Sequence, residues 1–95
     1  MVEVAPIPSP GEPTLDLHGL RVREALRRTD IFLRREQAAG TVAVRIITGH
    51  GEGILKQAIG ELLAAHPSVA RVTTPLQGTA ARLAVLRPPD HRAAR

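Results

Sequence analysis

Aromatic side chains are almost absent from this chain of 95 residues: Phe32 stands alone, with no Trp and no Tyr. The core must therefore be aliphatic, and stacking of nucleobases on aromatic platforms is all but excluded as a binding mode. Cysteine is absent too, which removes a disulfide framework and a thiolate metal site and leaves the compartment open. No segment approaches the roughly 20 apolar residues that span a bilayer. The opening MVEVAPIPSP sets Glu3 and repeated prolines where a signal peptide needs an unbroken apolar run. A soluble, cytoplasmic domain is the expectation. Acids are the scarcer charge, nine Asp and Glu against thirteen Lys and Arg, and the net charge of +4 favours a polyanionic partner.

The length suits one domain with one modest core. Residues 1–13 hold Pro6, Pro8, Pro10 and Pro13 and no helical or strand period, so they read as a linker or leader. The folded part is expected over 14–88 and a flexible tail over 89–95. The leader fits a domain carried by a longer chain, although Met1 is equally compatible with a true start.

Leu15-Asp16-Leu17-His18 alternates and stops at Gly19, which predicts a short strand. Residues 22–38 have a helical period, with Val22, Leu26, Thr29 and Leu33 on one face and Gly40 placed as the terminator. A second strand covers 42–48. A second helix runs from Ile54 through Ile59, Leu62 and Leu63 and is ended by His66-Pro67. Two more strands follow at 69–74 and 82–87. The βαβαββ order, with right-handed crossovers, predicts an α/β two-layer sandwich: a four-stranded mixed sheet with both helices on one face. Alternation sends Leu15, Leu17, Val44, Ile46, Val72, Leu83 and Val85 towards the helices. It leaves Asp16, His18, Arg45, Arg71 and Arg82 on an open, mostly basic face.

Parallel strands of this kind present ligands beyond their carboxyl ends. Both of the first two strands end at the same rim, at His18-Gly19 and Thr48-Gly49. The turn with Gly49, Gly51 and Gly53 leads straight into the second helix, whose first amides lack intrahelical partners, and such a turn is a ready phosphate site. A dinucleotide fingerprint fails on spacing, since the pattern is G-x-G-x-G and residues 68–76 contain no acid. A P-loop fails because Lys56 follows Gly53 by three residues. The plain alternative is a tight turn that needs positive φ; three glycines around His50 favour phosphate contact over it.

Asp16 and His18, two residues apart on a strand, project from one face about 6.6–6.8 Å apart along it. A carboxylate fixes an imidazole tautomer and raises its basicity, as proton transfer near neutral pH requires. Alone, the pair reads as a surface cap. Across the rim from the glycine turn, it reads as a site.

Leu15-Asp16-Leu17-His18-Gly19, a helix beginning near Val22-Arg23-Glu24-Ala25, and Thr48-Gly49-His50-Gly51 together resemble the Smr (small MutS-related) domain from about Thr14 to Pro88. The RIITGHGEGILKQAI and HPSVARV stretches look most like the version at the C-terminus of the second bacterial MutS paralogue. The resemblance implies a fold similar to the C-terminal domain of the third bacterial initiation factor. It also implies an endonuclease that nicks DNA, including branched DNA, or cleaves RNA, including mRNA on stalled ribosomes. The family's L-D-x-H motif maps onto Asp16 and His18, and its T/H-G-x-G motif onto Thr48 to Gly51. Two departures stand out: His18 where the MutS-paralogue type often has Arg, and Arg21 where a Thr helix cap is common.

The resulting expectation is a nuclease with Asp16, His18 and His50 as catalytic candidates. His18 transfers a proton or contacts phosphate, and Asp16 orients it. Gly49, Gly51 and Gly53 hold the scissile phosphate. Arg21 and Lys56 add charge at the rim, and Arg45 and Arg71 extend the nucleic-acid surface. The nearby acids, Asp16, Glu52 and Glu24, are too few for a multi-metal site; the cofactor stays open, a single divalent ion such as Mg or Mn being compatible with them. The partners expected are DNA or RNA, with the ribosome among them. The alternative is a non-catalytic nucleic-acid or ribosome binding module using the same surface. A small-molecule phosphate enzyme would need a walled pocket or a second domain.

Overall fold

The computed structural model describes residues 12–49, 53–73 and 81–89. The elements are β1 (Thr14–Asp16), α1 (Val22–Ala38), β2 (Ala43–Ile47), α2 (Ile54–Ala65), β3 (Val69–Thr73) and β4 (Ala81–Leu86). The sheet order is β1-β2-β4-β3, with β1 parallel to β2 and the other two pairings antiparallel. The expected four-stranded mixed sheet with two helices is what forms. Residues 1–11 of the expected leader and 90–95 of the tail lie outside the described residues.

Local chemistry explains the element ends. After α1, the Gly40 amide donates to the Gln37 carbonyl at 2.9 Å and the Thr41 amide to the Glu36 carbonyl at 3.0 Å, the paired bonds of a Schellman ending. His66 takes up an extended conformation before Pro67 and stops α2. The core is aliphatic, as the missing aromatics require. Leu17, Leu33, Val44, Ile46 and Ile59 are fully buried, with Ala25 and Ala84 among them. Thr29 is buried beside them and donates its hydroxyl to the Ala25 carbonyl at 2.7 Å, so its polar atom costs little there.

The phase of β4 differs from the expectation. Val44 pairs with Ala84 and Ile46 with Arg82, while Arg45 pairs with Leu83 and Ala43 with Val85. Leu83 and Val85 therefore lie on the open face, and Arg82 lies on the helix-covered one. Both phases of A-R-L-A-V-L are apolar enough to serve as a core face, so alternation could not choose between them. Ala84 and Leu86 are the buried set. Arg82 is accommodated because its guanidinium lies along Gly60, where a Cβ would sit 3.6 Å from Cζ. Among the described residues its Nε is buried without a hydrogen-bond partner.

A polar staple joins α1 to the α2–β3 turn. His66, its side chain 5% exposed, has Nε2 2.7 Å from Asp30 Oδ1. Its Nδ1 accepts the Ser68 amide at 3.1 Å, which fixes the ring proton on Nε2. The Ser68 hydroxyl donates to Gln37 Oε1 at 2.6 Å, and Gln37 Nε2 donates to the Pro88 carbonyl at 3.2 Å. His66→Ala would strand the buried Ser68 amide, and we predict a loss of about 1–3 kcal/mol in denaturant unfolding. The bond from His66, then that from Arg34, holds the Asp30 carboxyl below its usual pKa. A carboxyl depressed in the folded state contributes stability above its unfolded pKa of about 3.9 and loses it as pH falls through the folded value. The melting-temperature gap between the parent and Asp30→Asn is therefore expected to hold at neutral pH and to close in acid.

Candidate functional site

The rim is built by the ends of β1 and β2. The Leu17 amide donates to the Ile47 carbonyl at 2.7 Å, one residue beyond β1, and the Leu20 amide then turns back to the Leu17 carbonyl at 3.1 Å. His18 sits in that turn. Its amide donates to Asp16 Oδ1 at 3.1 Å, an Asx turn, and its ring Nδ1 lies 2.8 Å from the same oxygen. The two side chains are thus bonded, where an unbroken strand would hold them apart. Since the carboxylate accepts, Nδ1 carries the proton and Nε2 presents its lone pair to solvent. The side chains of His18 and Asp16 are 71% and 52% exposed. The ring bond first, and the amide bond second, hold the Asp16 carboxyl below its usual pKa, so it is ionised at neutral pH.

Gly49 closes against this pair. Its φ is +86°, and a Cβ there would lie 3.0 Å from the Cβ of His18. Two independent constraints therefore require glycine: a left-handed backbone and the approach of His18. Gly53, at φ +97°, is the N-cap of α2 and offers no side chain to cap it. The Gln57 amide to the Gly53 carbonyl, 2.8 Å, is the first helical bond, so the amides of Ile54, Leu55 and Lys56 have no partner within the helix. The first turn of α2 contains no acid, and Lys56 stands in it. Positive partial charge at this helix end is uncompensated by its own side chains.

Arg21 is the N-cap residue of α1, extended at φ −72° and ψ 154°, with no side-chain capping bond. The acid of that first turn, Glu24, is occupied by Arg28 at 2.7 Å and Arg27 at 3.1 Å. Asp16, His18 and Gly49 thus meet at the strand ends, while Arg21 stands at the start of α1 and Gly53 and Lys56 at the start of α2. Arg45 and Arg71 lie on the open face away from the rim. Arg45 Nη2 bonds Glu12 Oε1 at 3.1 Å, and Arg71 pairs in register with Val85. His50, Gly51 and Glu52 lie outside the described residues. Among the described residues no group of three or more His, Asp or Glu could hold a metal ion, and no helix is long and apolar enough to cross a membrane. The sequence pattern missed the contact between position 49 and His18. It also missed the aliphatic character of the open face, which only the register of β4 against β2 would have disclosed.

Fold and rim define a class: a two-layer α/β domain whose parallel strand pair ends in an Asp/His pair against a glycine turn and two helix N-termini. Residues 15–86 match the Smr domain, and the chain belongs to that family. Among its curated relatives, Endonuclease MutS2 of Thermomicrobium roseum is 48% identical over 58 residues, covering 61% of this chain and 7% of that protein. Endonuclease MutS2 of an Anaeromyxobacter species is 46% identical over 68 residues, covering 70% of this chain and 8% of that protein. The chain thus spans less than a tenth of the length of these relatives. The crystal structure of the Smr domain of Thermus thermophilus MutS2 superposes with a TM-score of 0.77 at 34% identity, covering 80% of this chain and 99% of that one. The solution structure of the SMR domain of NEDD4-binding protein 2 gives 0.66 at 25% identity, covering 90% and 97%.

Two glycine variants separate the constraints at the rim. Gly53→Ala meets no atom of the described residues within 4 Å and should cost only the left-handed penalty, about 1–2 kcal/mol. Gly49→Ala should cost measurably more in denaturant unfolding and shift the His18 ring resonances, because the His18 Cβ that carries the ring must move. Equal costs, with unshifted resonances, would remove the close approach from the account.

Proposed function

We propose that the domain is a nucleic-acid endonuclease in which His18, oriented by Asp16, accepts the proton of the attacking water. The observation that supports this best is the bond between Asp16 and His18 Nδ1, which leaves Nε2 free at the strand ends, where the Gly49–Gly53 stretch leads into an α2 N-terminus able to hold phosphate. Membership of the Smr family supports a nuclease or nucleic-acid-binding role in general, and the curated relatives carry the name endonuclease.

In this reading the scissile phosphate lies between His18 and the start of α2. The water oxygen attacks phosphorus and its proton passes to Nε2. The phosphorus–oxygen bond to the leaving nucleoside breaks, and the leaving oxygen takes a proton from solvent. Asp16, ionised, stabilises the imidazolium as it forms. The amides at the start of α2, with Lys56 and Arg21, offset the charge that builds on the phosphoryl oxygens. Gly53 shares that role, and so do His50 and Gly51, which lie between Gly49 and Gly53 in the sequence. A second reading, a binding module without chemistry, draws on the 71% exposure of His18, since no described residue walls it off from water.

Supercoiled plasmid and a structured RNA, each with and without EDTA, sort nuclease from binder and metal-dependent from metal-independent cleavage. His18→Ala should lower single-turnover cleavage by roughly 10²–10⁴ while binding persists, and Asp16→Asn should do similar damage. Both side chains are exposed, so each variant should stay within about 0.5 kcal/mol of the parent in stability. Parent-like cleavage by His18→Ala would transfer support to the binding module.

A further inference from the structure

The open face carries more than charge. The strand pairings set out its rows: Asp16 beside Ile47 and Ala81, then Thr14 beside Arg45, Leu83 and Thr73, then Ala43 beside Val85 and Arg71. An aliphatic stripe therefore runs from Ile47 through Leu83 to Val85, starting next to Asp16 and flanked by the two arginines. Glu12 already pairs with Arg45, and Asp16 with His18. Among the described residues Arg71 pairs with no carboxylate. Half-buried apolar side chains in the middle of a sheet face that no described element covers, with cations at the sides and an Asp/His pair at one end, call for a ligand that is both flat and apolar and polyanionic.

We propose that this face binds unpaired DNA, its bases packed on Ile47, Leu83 and Val85 and its phosphates paired with Arg71 and Arg45. The proposal rests on the nucleic-acid reading above and names its substrate class. In a duplex the base faces are stacked inside and unavailable to the stripe, so the aliphatic surface contributes only to a single strand. Bases pack on aliphatic side chains through burial and dispersion, without the directionality of ring stacking, so little sequence preference is expected. Charge complementarity selects nucleic acid over a second apolar surface, because a second copy of this face would bring Arg45 and Arg71 against their own kind. The stripe also favours DNA over RNA. Thr14 donates its hydroxyl to the Glu12 carbonyl at 3.0 Å, which leaves Thr73 as the hydroxyl beside the stripe. Thr73 stands in the row of Leu83 alone, so a ribose 2′-hydroxyl laid on Ile47 or Val85 would lose water and gain no hydroxyl partner. Because the stripe begins beside Asp16, a strand lying along it delivers its backbone to His18.

The test compares oligodeoxyuridylate, oligouridylate and a blunt DNA duplex of equal length by fluorescence anisotropy, with sedimentation velocity on each protein. The parent should bind the oligodeoxyuridylate severalfold more tightly than the other two. Leu83→Thr and Val85→Thr keep strand-forming shapes and should together weaken single-strand binding by about tenfold, the scale of one buried apolar contact, with duplex binding unchanged. Their salt dependence should match the parent's, whereas Arg71→Ala should flatten the log–log salt slope by about 0.7. Leu83→Tyr should tighten single-strand binding by adding a stacking surface, a gain that unfolding cannot imitate. Tighter binding of the ribo-oligomer, or threonine variants that weaken all three ligands alike, would overturn the proposal. So would a parent dimer that Leu83→Tyr dissociates, which would make this face an interface between copies. Duplex binding with no effect from the stripe variants sinks this inference alone; a parent that binds none of the three ligands sinks the nucleic-acid reading with it.

Discussion

The hydrogen bond from the Leu17 amide to the Ile47 carbonyl, 2.7 Å long, is the last rung of the parallel ladder between β1 and β2, and the rim follows from where it falls. It carries Leu17 into the core, fully buried, and forces the chain to turn at His18. It also levels that turn with Thr48 and Gly49, so Gly49 arrives against the His18 Cβ with no room for a side chain. Both helices start from this end because each follows a parallel strand. One ladder end thus gathers an imidazole, a carboxylate, a left-handed glycine and the N-terminus of α2.

Charge is distributed to match. Most acids of the described residues are committed locally: Glu24 to Arg27 and Arg28, Asp30 to Arg34 and His66, Glu12 to Arg45, and Asp16 to His18. These exposed pairs contribute little to stability individually. Their effect on the surface is greater, since they leave Arg21, Lys56 and Arg71 without a carboxylate partner among the described residues. The Asp30 and His66 pair is the exception in kind, because His66 is buried and ties α1 to the turn that starts β3.

Much of the fold was legible because its elements end on unambiguous chemistry. Gly40 after α1 and His66-Pro67 after α2 gave the helix limits, and the order of elements gave the crossovers. The rim was legible for the same reason, since strand ends and glycines mark it directly. The phase of β4 was not. Ala81, Leu83 and Val85 compete with Ala84 and Leu86 as a core face, and only pairing with Val44 and Ile46 decides between them. Arg82 misled the pattern, because a glycine on α2 gives a long cation room beneath the helix. The contact between His18 and Asp16 was half legible: the residues could be named, but strand geometry holds them apart and only the turn joins them.

The central claim is that the Asp16-bound imidazole of His18 accepts a proton through Nε2. Single-turnover cleavage by His18→Ala, with and without added imidazole, tests it most directly. The expected rate is roughly 10²–10⁴ below the parent's, with partial recovery when free imidazole supplies the missing base. A parent-like rate in His18→Ala would contradict it, because the proton would then be taken elsewhere.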